Sequence, residues 1–235
     1  LYTDFRNLGR FASGFGSKSE FFNAVASALL AREKTIIIPT FTYTTEGIFD
    51  VRSTPTRLGA MNKWVLDQLE VERSEHPLFS YAALGPQACV LKNIGKSAFG
   101  RHSIFERIRG RKAGFLHIGR PVNFGNTALH YVEQICGASY RTNKLFRTEV
   151  YSGDEYIGSE YSAFLRRRDV LGQDFAFDFR EATKGLHEAK LIKCIGEEEE
   201  LSNISFYWFD QTVDALCDFY YKDPNIFLTE KFIQN

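Results

Sequence analysis

The sequence predicts an α/β protein, with a three-layer α/β/α core and a smaller mixed region at its C-terminal end. Three observations carry that expectation. Helix-spaced apolar stretches alternate with β-branched runs, the connections between them are short, and the pattern changes after about residue 150. The division expected is therefore a core over 1–150 and a C-terminal region over 151–235.

The elements follow in order. "SKSEFFNAVASALLAREKTIIIPTF" (17–41) reads as helix then strand. Ser17 or Ser19 is placed to cap, Phe21, Phe22, Val25, Ala28 and Leu29 share one face, and Thr35–Ile38 form a buried strand that Pro39 ends. "LGAMNKWVLDQLEVE" (58–72) reads as a second helix with Met61, Trp64, Val65 and Leu69 on one side. "GRHSIFERIRGRK" (100–112) is a short helix with Ser103 near its start, and "AGFLHIG" (113–119) is a second buried strand. "NTALHYVEQICG" (126–137) is a helix that Asn126 or Thr127 caps and Gly137 stops. Beyond 150, "EYSAFLRRRDVLGQDF" (160–175) reads as a basic helix and "EAKLIKCIG" (188–196) as a strand. "EEEE" (197–200) reads as a solvated run, and "FYWFDQTVDALCDFYYKDP" (206–224) as an aromatic-rich helix. In such an architecture ligands gather beyond the strand ends, here at "PTFTYT" (39–44) and "GRPVNFGN" (119–126).

Composition narrows the function classes. The 235 residues carry 29 basic and 29 acidic side chains, so no global field recruits nucleic acid or an anionic membrane. No apolar run approaches the ~20 residues of a spanning helix. The four cysteines are widely spaced and form no Cys-x-x-Cys pair, which speaks against a disulfide framework and for a reducing, cytoplasmic setting. The chain opens on Leu1 and shows no signal peptide. The five histidines form no zinc motif, and neither a Walker loop nor a Gly-x-Ser-x-Gly elbow is present. No metal is therefore expected. "SGFGSKSE" (13–20) precedes a helix and fits a loop and cap better than a phosphate cradle.

His76 is the first candidate for chemistry. Pro77 pushes it towards extended backbone and so fixes the direction of its ring. Glu133 lies within an apolar helical pattern, where an unpaired carboxylate is costly, and it can partner a distant histidine. His130 shares its helix face at i, i+3. From spacing alone, a catalytic His76–Glu133 dyad and a core histidine beside a backbone-bonded carboxylate both remain open.

Five segments in collinear order resemble the aminoglycoside 3-N-acetyltransferase family: "IIIPTFTYT" (36–44), "FDVRSTPTRLGAM" (49–61), "SEHPLFSYAALGPQA" (74–88), "FGRHSIFERI" (99–108) and "NTALHYVE" (126–133). "LYTDFRNLG" (1–9) is similar to that family's first strand and turn, so the likeness covers about 1–150. It implies acetyl transfer from acetyl-CoA to a sugar amine without a covalent intermediate. His76 is then the general base, Glu133 its support, and 1–150 the acetyl-CoA-binding core. The resemblance also implies cofactor contacts at Asp4, Phe5, Thr40, Phe41, Ser80 and Ser103, with an N-cap as the alternative role of Ser103. Thr40, Thr42, Ser80 or backbone amides are the donors for the thioester oxygen.

The departures fall around the acceptor. Phe79 replaces a second histidine, Thr3-Asp4 a serine pair, Ile104 a proline, and Asn123 a loop aspartate. The expected acceptor contacts are Tyr43, Phe79, Asn123 and His130. An aminoglycoside pocket should be acidic, whereas Arg166-Arg167-Arg168 and the neutral balance suit an anionic ligand. The expected acceptor is therefore a nucleotide-linked amino sugar of surface-polysaccharide assembly, with an aminoglycoside as the alternative. A non-catalytic binding protein of the same fold is the second alternative, and a metal-dependent hydrolase ranks third. Expected partners are a small-molecule amino sugar and, for residues 151–235, an acceptor-side lid or a homo-oligomer surface.

Overall fold

A computed structural model describes residues 1–8, 14–168, 177–195 and 204–229. Its elements belong to the expected α/β class, but the sheets are short and mostly antiparallel. One sheet has the order β1 (Tyr2–Thr3), β6 (Gly114–Ile118), β12 (Ile204–Trp208) and β11 (Ile192–Ile195). Within it only β1 and β6 run parallel. A second sheet joins β2 (Ile36–Pro39), β5 (Tyr81–Leu84) and β4 (Glu72–Arg73), all antiparallel. Two smaller sheets pair β3 (Ile48–Asp50) with β8 (Glu149–Ser152) and β9 (Glu155–Gly158), and β7 (Arg141–Phe146) with β10 (Tyr161–Arg166). Strands from both sides of residue 150 therefore share sheets.

Local chemistry explains the helices. Ser17 caps α1 (Lys18–Leu30) by accepting from the Glu20 amide at 3.2 Å, and Phe22 and Ala26 bury its inner face. Together with α2 (Ala60–Leu66) it packs on β2. The expected helix over 58–72 stops at Leu66, and its tail folds into turns before β4. Ser103 caps α3 (Ile104–Ile108) through the Glu106 amide. The helix α4 (Ala128–Cys136) packs against α6 (Phe209–Lys222), which in turn packs on α5 (Arg180–Glu188).

The largest core runs from Tyr2 and Phe41 through Phe99, Phe105 and Val132 to Phe209 and Phe227. A smaller one joins α1, α2, β2 and β5.

The expected helix over 160–175 is corrected: Tyr161–Arg166 is a strand, because each residue pairs across with β7, from Tyr161 opposite Phe146 to Arg166 opposite Arg141. The rest of that segment from residue 169, and the acidic run 197–200, lie outside the described residues. Residues 206–208 of the expected last helix belong to β12 instead. Among the described residues no helix is long and apolar enough to cross a membrane.

Candidate active site

Helix α4 sets the centre of the site. Its i, i+3 geometry puts His130 and Glu133 on one side, and Glu133 Oε2 lies 2.7 Å from His130 Nδ1. Arg141, the first residue of β7, brings its Nε to 2.8 Å from the same oxygen. The Glu133 side chain is fully buried and that of Arg141 is 3% exposed, while His130 keeps 23% of its side chain open. The imidazole is thus the accessible member of a buried ionic trio.

The proton arrangement follows from charge. Arg141 Nη2 also approaches His130 Nδ1, at 3.0 Å, but a ring nitrogen either donates or accepts. The shorter contact with the carboxylate takes the Nδ1 proton, and Arg141 neutralises the carboxylate from its other side. The Nε2 lone pair is then free, and that atom has no hydrogen-bond partner among the described residues. Burial lowers the pKa of His130, Arg141 reinforces that shift, and Glu133 opposes it; the net result lies below the ordinary 6.5. For Glu133, burial pushes upward, but Arg141 and His130 outweigh it and keep the carboxyl ionised.

The walls are aromatic. Phe99 meets the His130 ring edge-on at 5.5 Å, and Phe177 and Phe179 lie at 6.3 and 6.1 Å. Phe177 also carries the Arg141 guanidinium at 4.3 Å and that of Arg166 at 5.8 Å. Phe99 continues to Phe79 (5.0 Å), Phe79 to Phe41 (5.1 Å), and Tyr43 stands edge-on to both Phe79 and Phe41. The expected acceptor contacts Tyr43, Phe79 and His130 therefore belong to one aromatic path. Asn123 sits half-buried on the loop 119–126.

His76 is elsewhere in role and partners. Its Nδ1 accepts from the amides of Leu78 (3.2 Å) and Phe79 (3.1 Å), and its Nε2 donates to the Ser162 carbonyl at 3.0 Å. Both ring nitrogens are spent, the residue is 1% exposed, and burial lowers its pKa to about 4. The expected His76–Glu133 dyad is therefore corrected: Glu133 serves His130, and His76 ties the 76–79 turn to β10. The sequence held a signal for this in the i, i+3 spacing of His130 and Glu133. Arg141 and Phe99 carried no signal, since the first depends on how β7 turns back after α4 and the second on a loop that lies well before the helix.

The expected oxyanion donors are likewise committed. Thr40 and Ser80 are fully buried, their hydroxyls lie 3.0 Å apart, and Ser80 donates to the Thr40 carbonyl at 2.7 Å. Arg73 donates into the same pair. The Thr42 hydroxyl donates to the Pro77 carbonyl. Ser103 is buried and acts as the α3 cap. Phe41 is core, and Phe5 packs edge-on to Phe21 at 5.0 Å. Asp4 is bound bidentately by Arg6 at 2.9 and 2.7 Å, at the surface. Among the described residues, no three His, Cys, Asp or Glu side chains gather in a metal-holding cluster.

A histidine with one nitrogen held by a buried carboxylate and the other without a hydrogen-bond partner among the described residues is an arrangement able to take up a proton. The comparisons with known proteins make the class specific. The profile described as aminoglycoside 3-N-acetyltransferase matches residues 3–193, and the chain belongs to that family. Aminoglycoside N(3)-acetyltransferase III of Serratia marcescens is 34% identical over 91 residues, 37% of this chain and 34% of that protein, so the match spans about a third of the relative's length. Solved structures share the fold. Aminoglycoside acetyltransferase AAC(3)-Xa superposes with a TM-score of 0.75 at 15% identity, covering 94% of this chain and 85% of that one. AAC(3)-IIb gives 0.72 at 19% identity, with 97% and 90% covered. AAC(3)-IVa in complex with a gentamicin gives 0.71 at 20%, with 97% and 83% covered.

Proposed function

We propose that the chain transfers an acetyl group from acetyl-CoA to an amine of an amino sugar, with His130 as the general base. The observation that carries this reading is the 2.7 Å contact between His130 Nδ1 and the buried Glu133 carboxylate, which leaves Nε2 to face a substrate. The amine nitrogen attacks the thioester carbonyl, the new C–N bond forms, and the nitrogen's proton passes to Nε2. The C–S bond then breaks, and the thiolate recovers that proton from the imidazolium. Glu133 stabilises the imidazolium while Arg141 keeps Glu133 ionised. A base with a pKa below 6.5 is unprotonated at neutral pH, as the step requires.

For the acceptor, an aminoglycoside is the reading the relatives support. Similar structures are described as bound to gentamicin, apramycin and sisomicin. The nucleotide-linked amino sugar is the second reading, favoured by the Arg166 guanidinium lying over the Phe177 ring beside His130. Phe177 and Phe179 both come from beyond residue 150, which supports a C-terminal region that completes the acceptor side.

Thiol release from acetyl-CoA, measured with each acceptor class, tests the proposal. Turnover that needs an amino sugar and falls about 10²–10⁴-fold in His130→Ala, with the fold intact, is expected. Full activity in His130→Ala removes the base assignment. Acceptor preference decides between the two sugar classes.

A further inference from the structure

Arg120 stands outside the proton-transfer centre and is unusual for a charged residue. Its Nε is buried without a hydrogen-bond partner, and among the described residues its guanidinium makes no ion pair. Leaving that buried nitrogen unpaired is costly, and the half-buried side chain keeps its two Nη groups for a ligand.

The surroundings hold the group in place rather than neutralise it. Arg120 follows β6, whose neighbour β1 runs parallel, and the two strand ends are locked together. The Asp4 amide donates to the Ile118 carbonyl at 2.8 Å, and the Asn7 side-chain amide to the Gly119 carbonyl at 2.7 Å. The far side of the loop closes over the guanidinium. A Cβ on Gly125 would lie 2.1 Å from Nη2, and the φ of +62° there suits glycine. Phe124 lies over the guanidinium at 5.1 Å. The nearby carboxylate, Asp4, has both oxygens on Arg6 and forms no ion pair with Arg120, although the charge of Arg120 reaches it. The ring over it, Phe124, is 67% exposed, and the charge of Arg120 also reaches the phenol of Tyr43, which is 46% exposed.

We infer that Arg120 is a phosphate-binding residue for a nucleotide-bearing substrate, with Phe124 and Tyr43 as surfaces for the flat base. The shared chemistry is a phosphate ester on a nucleoside. Coenzyme A supplies one on the donor side, and a nucleotide-linked sugar supplies one on the acceptor side. The planar fork of arginine matches phosphate oxygens two at a time. The inference rests on the acetyltransferase reading only for the role of the nucleotide, not for the existence of the anion site.

Direct binding tests it without turnover. Calorimetry on the wild type and on Arg120→Gln would use coenzyme A, pantetheine (which lacks the nucleotide and its phosphates), uridine diphosphate and inorganic pyrophosphate. Loss of the charged contact should weaken phosphate-bearing ligands about 10-fold or more and leave pantetheine unchanged. Arg120→Lys should recover part of the loss, because it restores charge without the fork. Selective loss for coenzyme A assigns the site to the donor, and selective loss for uridine diphosphate assigns it to the acceptor. Equal weakening of pantetheine and coenzyme A, or no weakening of any phosphate ligand, overturns the inference. Arginine-dependent pyrophosphate binding without thiol release would leave the anion site standing and remove acetyl transfer instead.

Discussion

At the scale of single residues, the two histidines separate by what their nitrogens do. His130 has one nitrogen left for chemistry, and His76 has none. Substituting each should give opposite signatures. His76→Ala strands two amides and a carbonyl in the interior, so stability should fall by about 2–4 kcal/mol. The protein that remains folded should keep its kcat. His76→Asn, whose Oδ1 can still accept from the amides, should lose less. Urea melts read beside thiol-release kinetics check this, and a kcat that collapses in a stable His76→Asn protein would return the base role to His76. Glu133→Gln should behave differently again, because it strips Arg141 of its counter-charge inside the core. Breaking a buried pair in this way costs about 3–5 kcal/mol. The acid limb of the kcat/KM profile of the wild type should lie below pH 6.5, since burial and Arg141 both disfavour the protonated imidazole. A limb above 7 would mean that Glu133 controls the imidazole more strongly than Arg141 and burial do.

The elements show why some of the fold was legible in the sequence and some was not. Helices α1, α3 and α4 announce themselves through local signals: Ser17 and Ser103 cap two of them, and Gly137 ends the third. The α4 terminus is a Schellman arrangement. Gly137 N–H donates to Gln134 O at 3.3 Å, Ala138 N–H donates to Glu133 O at 3.0 Å, and Gly137 takes a φ of +70°. The carboxylate that supports His130 thus sits on the residue whose carbonyl anchors the stop. Gly137→Ala meets no atom within 4 Å, so the cost is backbone strain alone, about 1 kcal/mol. Thermal melting should show a drop of a few degrees, with kcat nearly kept. A loss of most activity at unchanged stability would show that the stop positions Glu133 more tightly than helix packing does. The strand β10 was misread because Phe164, Leu165 and the arginines also fit a helical period, and only pairing with β7 decides between the two. The His76–Glu133 expectation failed for the same reason. Partners distant in sequence are set by topology, whereas the i, i+3 contact of His130 with Glu133 needed only one helix.

Across the whole molecule, buried neutral histidines make stability depend on pH. His117, fully buried in β6, stacks on Tyr2 at 5.0 Å and leans on Tyr207 at 5.7 Å, with no hydrogen bond to either ring nitrogen among the described residues. Burial, aided by neighbouring positive charge, holds its pKa at about 3, and burial holds that of His76 at about 4. In the unfolded chain both titrate near 6.5. Because the folded values are depressed, the unfolded state binds the extra protons. Their contribution is complete above about pH 6.5 and is lost progressively below it, levelling off near 4 for His76 and near 3 for His117. At pH 5 each costs on the order of 2 kcal/mol, and two together approach the whole stability of an ordinary domain. Cooperative unfolding between pH 5 and 4 is therefore expected, with the two histidines contributing about one proton each to the uptake, beside His130 and the depressed carboxylates. His117→Phe keeps a ring between Tyr2 and Tyr207 and removes one titration, so it should lower that uptake by about one proton and shift the acid midpoint downward. Equal stability at pH 7 and pH 5, measured by denaturant melts on the wild type, would mean that both imidazoles accept protons in the folded state. The sealed packing around Tyr2, His117 and Tyr207 would then open on a timescale that equilibrium melting averages over.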